Sequence, residues 1–375
     1  MKKITAMLLA GAMMLSLAAC GGGNNNAPAN SGNNPGGSTP AGSTPASSTP
    51  AGDADKYAGL DKVTLIGADN SSMGAAAQLF GELVTEKVNT ITGGQLTIEY
   101  FPNSELGADA DLLRQLQSND IQLVVCQTAP VVSFVPEVAV FDLPMVFAQY
   151  DAATIDKVLN GDGAFNKQLG ESFNNAGLQL MGILQGATYR LTTSNTALNT
   201  IDDFNGLLIR TMENQNHMTF WKALKAQPTP MAWNEVFFAL QSGNIAAQEN
   251  AADTCVGANL QEVQKYLACT NHILYANMMI MNKDAWAGLD PAYQDALKQA
   301  VSEAMADLGP QLAQIDADNK KTLCEDSGKY NMTLIEYDDS FYADVLALPA
   351  VQDLYKDIDS QIGGLGSVLQ TELAG

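Results

Sequence analysis

Between Val63 and Cys126 the spacing of apolar residues switches back and forth between two periods, and this alternation constrains the fold more than any other feature. Val63-Thr-Leu-Ile-Gly67 reads as a buried strand. Met73 to Val88 places apolar residues at 73, 76, 80, 83, 84 and 88, one face of a helix. Thr92-Gly93-Gly94 breaks that helix, and Leu96 to Phe101 alternates as a strand. A helix around Ala108 to Gln117 and a strand from Ile121 to Cys126 complete the series. Strand, helix, strand, helix, strand requires parallel pairing with right-handed crossovers, hence an α/β lobe.

Leu178 to Gln185 reads as a further buried strand, and a second set follows it. Leu207 to Arg210 is a strand, His217 to Lys225 and Trp233 to Gln241 are helices, and Ile245 to Gln248 is a short strand. His272 to Asn282 reads as a longer one. From Asp290, an N-cap followed by Pro291 at the first helical position, a long helical pattern begins. Gly309-Pro310 should kink it before Leu312, Ile315 and Leu323 continue it, and a helix of that length braces two lobes. Two α/β lobes leave a cleft, where strand ends point and small ligands usually sit. The expected division gives one lobe residues 56–186 and about 277–315, and the other 187–276 and about 316–375.

The N-terminus reads differently. Met1-Lys2-Lys3 is a short positive segment, and Ile4 to Ala19 is apolar but too short to span a bilayer comfortably. Residues 1–19 are therefore expected to be a signal peptide. Leu17-Ala-Ala-Cys20 resembles a bacterial lipobox, which implies cleavage before Cys20, its lipidation and a membrane anchor without a spanning helix. The alternative is an ordinary signal peptide with an incidental cysteine. Residues 21 to 52 hold no Asp, Glu, Lys or Arg, and Ser-Thr-Pro recurs at 38–40, 43–45 and 48–50. Such a composition cannot offset the entropy of ordering, so residues 20–55 are read as the lipidated cysteine and a linker spanning roughly 30 Å.

Nineteen basic against 41 acidic side chains give the 375-residue chain a formal charge of −22, which argues against nucleic acid and anionic membrane surfaces as partners. A 46% hydrophobic content is nevertheless enough for a sizeable core. The cysteines beyond Cys20 are Cys126, Cys255, Cys269 and Cys324, without a C-x-x-C pair, so a zinc site is not expected and buried free thiols are favoured over a disulfide. Only His217 and His272 could serve as catalytic imidazoles, and no Gly-x-Ser-x-Gly, phosphate loop or calcium loop accompanies them. No catalytic residue, metal or cofactor is therefore assigned. A hydrolase using His272 is the minor alternative.

The three arginines, Arg114, Arg190 and Arg210, are then informative. Arg114 reads as a solvated helix face. Arg210 ends the Leu-Leu-Ile strand and Arg190 follows the Leu178–Gln185 strand, both where cleft groups are expected. A guanidinium there suits bidentate capture of a carboxylate. Pairing with acidic side chains on the protein surface is the competing explanation.

A set of motifs shared with one family runs along the body. Ala187-Thr-Tyr-Arg190-Leu-Thr-Thr-Ser-Asn195, Asp203-Phe-Asn-Gly-Leu-Leu-Ile-Arg210, Pro228-Thr-Pro-Met-Ala-Trp233-Asn-Glu235 and Gln248-Glu-Asn250 occur in family order. Asn103-Ser-Glu-Leu-Gly107 and Pro136 to Pro144 extend the match into the first lobe. Over about residues 60–340 the chain resembles the substrate-binding proteins of TRAP (tripartite ATP-independent periplasmic) transporters, the DctP-type receptors. The resemblance implies a two-lobed α/β fold of the periplasmic-binding-protein type (type II-like). It also implies an extracytoplasmic, monomeric receptor that closes on a small organic acid and delivers it to the membrane subunits of a permease. By resemblance, Arg210 grips the ligand carboxylate, Arg190 is a second anchor, Asn250 hydrogen-bonds the ligand and braces the arginine, and Trp233 lines the pocket. Gln127, Glu213 and Asn70 are candidates for reading hydroxyls, pointing to a sugar acid or another hydroxylated monocarboxylate. The chain departs from the family around Gln248-Glu-Asn250, where Ile245-Ala-Ala and Ala251 replace Val-Asp-Gly and proline. A sensor module of the same fold, presenting ligand to a membrane receptor, is the alternative role.

Overall fold

A computed structural model describes residues 54–375; the expected signal peptide, Cys20 and nearly all of the expected linker lie outside the described residues. Among the described residues eleven strands form two sheets. In the first, β1 (Val63–Asp69) pairs in parallel with β2 (Leu96–Phe101) and β3 (Leu123–Gln127), as the period changes predict. The helices Ala76–Ile91 and Asp109–Ser118 connect them. β4 (Leu178–Leu184) forms the far edge of that sheet and pairs only with β10 (Asn277–Asn282), which runs antiparallel to both β3 and β4. Two helices that have no counterpart in the sequence reading, Ala152–Asn160 and Ala164–Asn175, precede β4.

The second sheet takes β5 (Leu191–Ser194), β6 (Leu208–Thr211), β7 (Gln227–Pro230), β8 (Ala247–Asn250), β9 (Tyr266–Ala268) and β11 (Thr333–Ile335). Its order is β11-β9-β5-β8-β6-β7. The chain leaves the first sheet after β4 and returns to it at β10, so the two connections run side by side. Arg190 N donates to Ile273 O at 2.9 Å and Tyr275 N to Thr188 O at 2.8 Å. This is why the strand expected from His272 begins only at Asn277. Residues before it form a buried crossing with a single antiparallel bridge, Tyr189 to Leu274. Positive φ at Ala187 (50°) and Asn271 (44°) keeps the ladder from continuing there.

Asp290 caps the Pro291–Leu308 helix by accepting from Ala292 N at 2.8 Å. The helix buries Tyr293, Leu297, Val301 and Leu308 against the Ala76–Ile91 helix and β4. Gly309 to Gln311 form one 3₁₀ turn, since Pro310 has no N–H to donate, and the Leu312–Lys321 helix follows. The C-terminal helices straddle the two expected lobes. Pro349–Gln361 packs on the Gln215–Ala223 helix and on the 3₁₀ turn Pro136–Asp142, while Leu365–Leu373 packs on Ala152–Asn160 and Ala164–Asn175. Among the described residues no helix is long and apolar enough to cross a membrane. Cys126, Cys255 and Cys269 are buried free thiols and Cys324 is a half-buried one.

Candidate functional site

The C-terminal ends of β1, β3, β6 and β8 converge between the sheets. Asn70, Ser71, Asp109, Gln127, Arg210, Met212, Trp233, Asn250 and Thr254 line one pocket there. Strand geometry delivers Arg210: β6 is held by β7 and β8, with Arg210 opposite Thr229 and Gln248. The side chain is 2% exposed. Its Nε and Nη2 donate to Met231 O at 2.9 and 2.6 Å, while Nη1 is buried without a partner. The guanidinium carbon lies 5.5 Å from the centre of the Trp233 ring, which fixes the plane of the fork. Burial lowers the Arg210 pKa to about 10, opposed by the charge of Glu249, so the group remains a cation at neutral pH.

Asn250 ends β8 and turns its Oδ1 to Ala251 N at 3.0 Å and to Gln127 Nε2 at 3.4 Å. Gln127 ends β3, so this contact spans the two sheets. Asn70 follows β1, donates from Nδ2 to Asp109 Oδ2 at 3.0 Å and accepts from Ser104 Oγ. Trp233 Nε1 donates to Ser72 Oγ at 3.3 Å across the cleft. Five residues singled out from sequence, Arg210, Asn250, Gln127, Trp233 and Asn70, thus share one pocket.

Arg190 and Glu213 do not line it. Arg190, expected as a second carboxylate anchor, lies one layer behind with its fork on Glu249. Nε is 2.5 Å from Glu249 Oε2, and Nη2 is 3.0 Å from Oε1 and 2.9 Å from the Glu249 carbonyl. Its Nη1 donates to Gln127 Oε1, so it reaches the pocket through that amide. The competing explanation for an arginine in so acidic a chain therefore describes Arg190, except that its partner is in the interior. Glu213 is exposed and stands outside the pocket, although its charge is felt at Arg210.

Behind the pocket lies a fully buried charged network. His272 Nε2 is 3.1 Å from Glu249 Oε2, and His217 Nδ1 is 3.7 Å from Oε1. His217 Nε2 is 3.1 Å from Asp142 Oδ1, and the other Asp142 oxygen accepts from Asn214 and Asn216 at 2.8 and 3.0 Å. Burial alone would raise the Glu249 pKa, but the Arg190 charge, the nearby His217 and the hydrogen bond from His272 hold it well below the usual carboxylate range. Burial would lower His217, yet Asp142 and Glu249 raise it to about 9. His272 is pushed down by burial, which outweighs Glu249, and is neutral. Arg190 with Glu249 and His217 with Asp142 are thus matched pairs that leave no net charge to offer a ligand. His272 is 1% exposed and packs 5.5 Å from Phe220 and 4.9 Å from Trp221, sealed from any substrate.

Two carboxylates at the cleft escape a reading of the sequence. Asp109, first residue of its helix, enters the pocket because that helix begins directly over the end of β1. Asp253, on the Ala252–Gly257 helix, reaches across the cleft. Its Oδ2 accepts from Ala76 N at 2.8 Å, capping a helix whose own N-cap, Ala75, has no side chain able to do so. Neither residue lies on a periodic stripe that would have marked it. Among the described residues no cluster of three His, Cys, Asp or Glu side chains is placed to hold a metal ion.

A larger cavity lies elsewhere. A groove of about 940 Å³ runs along β4 between the Ala164–Asn175 and Pro291–Leu308 helices. Its charged lining residues, Asp156, Lys167, Glu171 and Lys298, are exposed and balance in sign, so it offers no desolvated charge to a ligand.

Residues 64–355 match the model of the family described as bacterial extracellular solute-binding protein, family 7 (DctP). A solute-binding protein of Verminephrobacter eiseniae is 31% identical over 277 residues, 73% of this chain and 78% of the relative. The sialic acid-binding periplasmic protein SiaP of Vibrio cholerae is 27% identical over 298 residues, 78% and 87% of the two chains. In fold, the chain is similar to the sugar acid binding protein DctPAm of Advenella mimigardefordensis, solved with galactonate. The TM-score is 0.75 at 24% identity, covering 84% of this chain and 99% of that one.

Proposed function

The chain belongs to the DctP family of bacterial extracellular solute-binding proteins, the solute receptors of TRAP transporters, and we propose that it captures its organic acid with one guanidinium, that of Arg210. One observation carries this reading: Arg210 Nη1 is buried in the pocket, charged and without a hydrogen-bond partner. A buried donor left unmet is costly, and a carboxylate about 4 Å from it gains roughly 4 kcal/mol at an effective dielectric of 20. Asn250, Gln127 and Asn70 hold the polar remainder of the ligand, and Trp233 walls it. Arg190 acts through Gln127 and Glu249 and is not itself the second grip. Glu213 guards the approach as a charge outside the pocket. Members of this family are receptors, not enzymes. SiaP is named for sialic acid and a 30% identical relative from Rhodobacter capsulatus for C4-dicarboxylates, which supports an organic acid as the ligand.

In the same reading, the receptor works outside the cytoplasm as a monomer, tethered to the membrane by acyl chains on Cys20, and hands its ligand to the permease subunits. The lobes are residues 56–186 with about 277–315, and 187–276 with about 316–375, which close about the crossings at Arg190 and Ile273. Calorimetry against a panel of organic acids tests the site: Arg210→Ala loses more than about 2 kcal/mol of binding if the ion pair is buried. Unchanged affinity sinks the assignment. Fatty-acid labelling tests the anchor: the wild-type protein takes up the label and Cys20→Ala does not, and an unlabelled wild type rejects lipidation.

A further inference from the structure

Among the residues lining the pocket, Arg210 is the sole cation and Asp109 the sole anion. The other two arginines are engaged elsewhere: Arg114 with Asp111 at 2.6 Å on the surface, Arg190 with Glu249 in the interior. Asp109 is held in place from one side. Its Oδ2 takes the Asn70 amide at 3.0 Å, and Ser104 fixes that amide in turn. Oδ1 accepts no hydrogen bond from a described residue. A carboxylate oxygen is an acceptor only, so a ligand group that meets it must bring a hydrogen.

We propose that Asp109 makes this pocket selective for monocarboxylates carrying hydroxyls, and that it rejects dicarboxylates of the same length. The proposal rests on Arg210 being the carboxylate anchor. With one cation and one anion among its lining residues, the pocket sets one negative ligand charge against one unpartnered guanidinium arm. A second carboxylate would find no further cation and would face a like charge in a site shielded from water. A hydroxyl in that place donates to Oδ1 and completes the Asp109 coordination. Burial holds the Asp109 carboxyl above its usual range, opposed by the Asn70 hydrogen bond and the Arg210 charge; a second anion would add to that penalty. Specificity here comes from a repulsive element as much as from an attractive one.

The test is a matched pair of four-carbon probes, erythronate and succinate, titrated calorimetrically into the wild-type protein, Asp109→Asn and Arg210→Ala. The wild type is expected to favour erythronate by at least 100-fold. Asp109→Asn, which keeps the shape and removes the charge, is expected to cut that ratio at least tenfold, chiefly by admitting succinate. Equal or tighter succinate binding in the wild type overturns the proposal without recourse to any variant. So does an Asp109→Asn ratio equal to the wild-type one. If Arg210→Ala abolishes binding while the ratio ignores Asp109, the receptor reading stands and only the selectivity fails. If Arg210→Ala binds both probes as the wild type does, the reading and the selectivity fall together.

Discussion

Arg190 Nη2 lies 3.0 Å from Glu249 Oε1 and 2.9 Å from the carbonyl of the same residue, with both side chains sealed in the interior. This pairing divides the labour of the two cleft-side arginines. Arg190 neutralises a buried acid and bonds the Gln127 amide; Arg210 keeps one arm without a partner, as the proposed carboxylate anchor requires.

Truncating each arginine should therefore give opposite signatures. Arg190→Ala leaves Glu249 buried and short of its strongest partner, and is expected to lower stability by about 3–5 kcal/mol. Arg210→Ala leaves only the Met231 carbonyl short of a donor and should cost about 1 kcal/mol of stability while abolishing most ligand affinity. Urea unfolding paired with calorimetry separates the two; equal stability losses would refute the division.

The His217–Asp142 pair should make stability depend on alkaline pH. The His217 pKa is raised to about 9 in the fold, against an ordinary value of 6.5. A raised value means that the folded state holds the proton more tightly, so the stabilisation is complete below pH 6.5 and is lost as pH climbs through 9. The difference amounts to on the order of 3 kcal/mol. Denaturant unfolding between pH 6 and 9.5 should show the decline, and His217→Gln should flatten it.

Asp253 accepts from the Ala76 amide across the cleft, a contact that opening of the cleft would break. Asp253→Ala should accelerate ligand release several-fold with little change in the association rate, consistent with about 1 kcal/mol for a lost cap. Trp233 sits in the pocket, so stopped-flow tryptophan fluorescence can follow both rates. An unaltered release rate would show that the cap does not hold the closed form.

A pair of glycines tests the packing of the first lobe. A Cβ at Gly81 would lie 1.9 Å from Tyr100 Oη, whose hydroxyl is tied to Asp69 at 2.8 Å. Gly81→Ala should destabilise by about 2 kcal/mol, although alanine is the better helix former. Gly170, with nothing within 4 Å of its Cβ position, should gain about 0.5–1 kcal/mol from the same change. Melting temperatures that shift in the same direction for both would contradict the Tyr100 contact.

The sequence by itself determined the elements that depend on local pattern. The period switches between Val63 and Cys126 specify β1 to β3 and their helices, and Asp290-Pro291 specifies the start of the long helix. Strand-end position placed Arg210 in the cleft, because a residue closing a buried strand faces the gap between lobes. Tertiary structure alone decided which arginine is free. Arg190 and Glu249 lie 59 residues apart, and they meet because Leu191 pairs with Asn250 in the β5–β8 register. The approach of Asp109 and Asp253 to the cleft, the antiparallel course of β10 and the straddling C-terminal helices are likewise long-range outcomes. Periodicity reports which face of an element is apolar, but not which buried charge will stand opposite another. That choice follows from register and chain crossing, and it leaves one of the three arginines with an unpartnered arm in the pocket.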